Sequence, residues 1–62
     1  MKVKEVIRLV ENDGWVLKRM KGSHRQYKHN VKEGLVTIPG NLNEDLAIGT
    51  LKNIFKQAGI KI

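Results

Sequence analysis

Lys21-Gly22-Ser23-His24 sets an imidazole, a hydroxyl and a flexible glycine within four residues, with Arg25 following directly. Imidazole exchanges its proton nearer neutrality than any other side chain, so His24 is the candidate general acid/base of this chain. The reaction such a group serves best is cleavage of a polymer that carries its own nucleophile. In RNA the ribose 2′-hydroxyl attacks the neighbouring phosphate once its proton is removed, and cationic or N–H donors stabilise the pentacoordinate phosphorane. Lys21, Arg25 and the amides of Gly22 and Ser23 are such donors. Ser23 is read as a turn-shaping residue, serine being common in turns. Spacing alone would leave a lone turn histidine an ordinary surface residue, so the reading rests on what surrounds it.

Other chemistries find little support. His29 lies five residues beyond His24, ~16 Å along a strand, and the odd step sends the two rings to opposite faces. It is read as a structural or solvent-facing strand end. No third ligand of suitable type stands near the histidines for zinc. Cysteine is absent, which removes thiolate metal sites, disulfides and cysteine nucleophiles. Glu44 and Asp45 are adjacent and outside the basic region, better placed to cap a helix than to hold Mg²⁺. Gly22 and Gly34 lack the companions of a phosphate-binding P-loop. A mechanism without metal or cofactor is expected.

Charge points the same way. Twelve Lys and Arg against six Asp and Glu leave a formal +6 on 62 residues, which favours a polyanionic partner. From Gly14 to Lys32 there is no acid, while Lys18, Arg19, Lys21, Arg25, Lys28 and Lys32 gather there with both histidines. Lys18, Arg19, Lys21, Gly22, Ser23, Arg25 and Lys28 form the candidate nucleic-acid contact set. Long, flexible cations let most of them reach one phosphate-lined surface despite strand alternation, and binding should weaken with salt. The competing view is a solvated hairpin whose lysines guard a sheet edge. Trp15, Tyr27 and Phe55 are the only aromatics, too few for base stacking, and the first two read as core. No apolar run approaches a membrane span, and the amino terminus lacks the apolar block of a signal peptide, so no membrane contact and a cytoplasmic location are expected.

The elements that must position these residues follow from periodicity. Val3, Val6, Ile7 and Val10 recur at helical spacing and predict a helix over 2–13, stopped by Gly14 with a Val10–Trp15 contact. Leu51, Ile54, Phe55 and Ala58 predict a second over 48–58, stopped by Gly59 with a Phe55–Ile60 contact. Between them, 15–20, 24–29 and 35–39 read as short antiparallel strands joined at Gly22 and Gly34, with Pro39 closing the third. Residues 40–47 read as a loop in which Asn43 or Asp45 offers a cap. The fold class is α+β, a single domain over 1–62 in the order α-β-β-β-α, with two helices on one face of a three-stranded antiparallel sheet. That is the arrangement of double-stranded-RNA-binding domains, which read shape, phosphates and 2′-hydroxyls. Sequence-specific readout is not indicated.

The runs DGWVLKRMKGSHRQYKH, GLVTIP and IGTLKNIFKQAGI closely resemble the HicA toxins of type II toxin–antitoxin systems, over nearly the whole chain. Gly-Ser-His at 22–24 after a Gly-Trp strand is the most specific element, and the closing Gly-Thr-Leu…Gln-Ala-Gly is a second landmark. The resemblance implies a double-stranded-RNA-binding-like fold, metal-independent cleavage of mRNA, arrest of translation, and a catalytic histidine at His24. It also implies a HicB-type antitoxin that covers the His24 hairpin. Many relatives carry a histidine or further proline after the proline that ends the third strand; here Gly40 and Asn41 stand instead. A non-catalytic double-stranded-RNA-binding module and a protein-interaction domain with a basic hairpin are the alternatives.

Overall fold

In the computed structural model, residues 1–61 are described; Ile62, the last residue of the expected 1–62 domain, lies outside them. Helix α1 (Val3–Asn12) carries Val3, Val6 and Val10 into the core. Its first amides are not left bare: Val3 and Lys4 donate to the carbonyls of Glu44 and Leu42 at 2.9 and 3.1 Å, and Glu5 Oε1 accepts from the Lys2 amide at 2.9 Å. The 40–47 loop is therefore the partner of the α1 start as well as a connection. Asn43 and Asp45 do not cap the second helix, whose N-cap is Ala47 without a side-chain bond. They instead face Lys2, Asn43 through its carbonyl at 3.3 Å and Asp45 through an isolated antiparallel bridge.

Strands β1 (Val16–Lys21), β2 (His24–Lys28) and β3 (Val36–Ile38) form an antiparallel sheet in that order, and α2 (Ile48–Ala58) follows. Both helices end as their glycines require. Trp15 N–H returns to the Val10 carbonyl at 3.2 Å and Ile60 N–H to the Phe55 carbonyl at 3.0 Å, the six-to-one bonds of two Schellman stops. The three valines of α1 join Trp15, Tyr27, Val36, Ile38, Ile54, Phe55 and Ala58 in one buried cluster. All of it lies on one face of the sheet, so the opposite face is open, as the element order anticipates.

One corner is held by polar bonds. Lys32 Nζ donates to Asp13 Oδ2 at 2.5 Å and to the Ala58 carbonyl at 3.0 Å, and Trp15 Nε1 reaches the same two residues at 3.2 and 3.3 Å. His29 closes it. Its Nδ1 accepts the amides of Val31 and Lys32 at 3.0 and 3.1 Å, which leaves Nε2–H to donate to the Asp13 carbonyl at 2.7 Å. The ring meets Trp15 edge-on with centroids 5.2 Å apart. Gly14 is needed between them: its φ is +105°, and a Cβ there would lie 2.7 Å from His29 Nε2. His29 is thus a structural strand-end residue, and Lys32 ties the end of α2 to the end of α1.

Lys32's hydrogen bond, aided by its charge and by the Trp15 N–H, holds the Asp13 carboxyl below its ordinary value. A carboxylate whose folded value is depressed contributes stability that is present above the ordinary carboxylate range and lost as pH falls through the lowered value. Urea midpoints measured from pH 7 down to pH 2 should therefore fall more steeply for the wild type than for Asp13→Asn. The variant should be weaker at pH 7 but flatter in acid; parallel curves would contradict this role for Asp13.

Candidate functional site on the open face of the sheet

The hairpin decides which side chains share a surface. Gly22 and Ser23 are its two central residues; Gly22 has φ +58°, and among the described residues none other than glycine has positive φ. A positive φ at the first central residue alone is the pattern of a type II′ turn, whose twist matches that of the strands. Lys21 and His24 are then direct cross-strand partners at the base of the turn, followed by Met20 opposite Arg25 and Arg19 opposite Gln26. Directly opposed residues present their side chains to the same face. The register next shifts between Leu17 and Arg19, so that Leu17 stands opposite Tyr27 and Lys18 is the extra residue of a bulge.

The shift sorts the hairpin. Tyr27 is buried in the core, so its partner Leu17 belongs to the helix side. Arg19, Lys21, His24 and Gln26 belong to the open side, joined from β3 by Thr37, the partner of Gln26. These residues and Ser23 line a shallow depression of about 510 Å³. Its wall contains two cations, an exposed imidazole and three neutral polar side chains, and no carboxylate. Gln26 and Thr37 were not singled out in the sequence; both are half-buried in mid-strand. Strand alternation puts Gln26 on the face of His24, two residues along β2, and cross-strand pairing, which no single stretch of chain displays, adds Thr37.

The remaining candidates are placed differently. Arg25 sits opposite buried Ile38, and its guanidinium donates to the Gly40 carbonyl at 2.8 Å and the Ser23 carbonyl at 3.4 Å, fastening the turn to the loop after β3. Lys18 occupies the bulge, and Lys28 pairs with Val16 at the far end of the hairpin, ~13 Å from His24 along β2. Gly22 supplies the turn and lies outside the depression's lining. Lys32, part of the basic run, points to Asp13 and the end of α2. The nearest phenol, Tyr27, is on the helix side, and burial pushes its proton affinity above the ordinary tyrosine value. Among the described residues no group of three His, Cys, Asp or Glu side chains is gathered as metal ligands.

A double-stranded-RNA-binding-like α+β fold that carries a histidine and two cations on its open sheet face defines the class of this domain. A protein-family model described as the HicA toxin of bacterial toxin–antitoxin systems matches residues 3–60, a span that includes every helix and strand and the His24 hairpin. The chain belongs to the HicA toxin family. A comparison with curated proteins finds no match. No helix among the described residues is long and apolar enough to cross a membrane.

The geometry separates cations that are free to meet a polyanion from those already engaged. On a heparin column, Arg19→Ala and Lys21→Ala should each elute at clearly lower salt than the wild type. Lys32→Ala, which removes the same formal charge, should shift much less while lowering the urea midpoint. Equal shifts for all three variants would show that net charge alone, and not this face, governs polyanion binding.

Proposed function

We propose that this chain is the mRNA endoribonuclease of a toxin–antitoxin pair and arrests translation by cutting messages in the cytoplasm. The observation that carries the reading is His24, exposed on the open face in a depression with Arg19 and Lys21 and without a carboxylate. Membership of a toxin family supplies the biological setting.

In the reaction, neutral His24 takes the proton of a ribose 2′-hydroxyl as that oxygen bonds to the adjacent phosphorus. The bond from phosphorus to the 5′-oxygen breaks, and the departing oxygen is protonated by a second acid or by water. Negative charge on the phosphorane grows beside Lys21 and Arg19, where preorganised cations stabilise it best. Lys18 and Lys28 lie further along the hairpin, where they extend backbone contact, and the Gly22 and Ser23 amides sit at its tip. Arg25 contributes by tethering the turn. No metal ion or cofactor takes part in this scheme.

The partner is a HicB-type antitoxin that binds over the His24 hairpin. An acidic surface on it would be steered there rapidly and would exclude RNA from the same cations. The alternative from another class is a non-catalytic double-stranded-RNA-binding module, favoured by the element order alone.

Labelled single-stranded RNA incubated with purified protein in EDTA separates the two. The wild type should produce fragments, and His24→Ala should cut at least ~100-fold more slowly, the usual scale of a lost general base, with an unchanged far-UV spectrum. Binding without fragments would establish the module, and wild-type-like cleavage by His24→Ala would remove the histidine from the mechanism.

A further inference from the structure

The depression holds two side chains that the reaction does not use. Gln26 and Thr37 are cross-strand partners at the centre of the sheet, half-buried, on the same wall as His24. Neither side chain makes a hydrogen bond to another described residue, whereas the side chains of Asn41, Arg25, His29 and Lys32 all find partners. A carboxamide offers two donors and one acceptor in a fixed plane, and the hydroxyl beside it can turn to serve as either. Half-buried polar groups left without internal partners are suited to a ligand that satisfies them.

The depression of about 510 Å³ is large enough for one nucleotide to settle beside His24 while the rest of a strand runs across the open face. Trp15, Tyr27 and Phe55 are buried in the core, so stacking surface at the wall comes from the His24 ring and the Arg19 guanidinium. What Gln26 and Thr37 offer is edge hydrogen bonds. The Gln carboxamide presents a donor and an acceptor side by side, the complement of the exposed edge of an unpaired base.

The geometry points to Gln26 and Thr37 as the residues that read the edge of the unpaired base beside the scissile phosphate and so select that nucleotide. The inference rests on the nuclease reading and adds to it a base preference that composition did not foretell. Gln26 bonds the base edge, Thr37 supports the carboxamide or the ribose, and His24 meets the adjoining 2′-hydroxyl. These are specificity residues, so their loss should alter which bonds are cut more than how fast a good bond is cut.

The test is sequencing of ends released from a randomised single-stranded RNA pool. The wild type should enrich one base at one fixed position next to the cut, by roughly tenfold or more, the discrimination of a bidentate pair. Gln26→Ala should flatten that position. Gln26→Glu, which keeps the shape but only accepts, should shift it toward guanine, whose N1–H and N2–H stand side by side as donors, and Thr37→Val should reduce the enrichment several-fold; thermal melts confirm that each variant is folded. Cleavage with no base enrichment, or the same enrichment in the Gln26 variants, overturns this inference and leaves the nuclease reading standing. A wild type that binds the pool and cuts nothing overturns both.

Discussion

The arrangement depends on a single irregularity, the bulge at Lys18. In an unbroken β1, Trp15, Leu17, Arg19 and Lys21 would share one face, and the core and the cations would compete for the same side of the sheet. The extra residue changes the parity. Leu17 faces Tyr27 on the helix side, while Arg19 and Lys21 face Gln26 and His24 on the open side. The two-residue turn then pins the register at Lys21 and His24, and a slip of one residue would exchange every side chain between faces. A strand of a small protein can in this way serve its core and its functional surface at once. β1 is also an edge strand, with Leu17 and Met20 left 42% and 56% exposed; a bulge and a lysine at its middle are devices that discourage pairing with another strand.

The two histidines stand in different surroundings. His29 spends both ring nitrogens on backbone groups and touches Trp15, joining the end of α1 to the segment after β2. Lys32 and Asp13 complete that corner and reach the end of α2. A chain this short buries a modest fraction of its surface and has no disulfide, so polar bonds that join three segments at one point supplement a core of ten side chains. His24, by contrast, has no hydrogen-bond partner among the described residues and is exposed, free to exchange a proton with whatever occupies the open face.

What the sequence makes legible is local. The apolar stripes and the glycines after them marked both helices to within a residue at most boundaries, because periodicity and a left-handed stop are written in adjacent residues. Strand order followed from short hairpins. The bulge leaves only a trace: in WVLKRMK the parity of Trp15 and Leu17 runs on into Arg19 and Lys21, but the position of the extra residue is set by pairing Leu17 with Tyr27 and Arg19 with Gln26. The fates of Arg25 and Lys32 are not legible: both count as free charge in a composition but are engaged by the Gly40 and Ala58 carbonyls. Gln26 and Thr37 were overlooked for a related reason: eleven positions apart in the chain, they become neighbours only through the register of β2 with β3. The 40–47 segment was readable as a loop, whereas its carbonyls' role in satisfying α1 was not.

The proposed reaction, a proton-moving imidazole among cations facing a polymer with its own nucleophile, commits itself to one set of products. The chemistry of the cut ends therefore tests the account most directly, independently of which residue binds which base. Fragments should carry 2′,3′-cyclic phosphate and 5′-hydroxyl termini, and a substrate with 2′-deoxyribose at the cleaved position should stay intact. Fragments with 3′-hydroxyl and 5′-phosphate ends, or cutting of the deoxyribose-substituted strand, would mean that water and not the ribose attacks phosphorus, and the assignment of His24 on this face would be wrong.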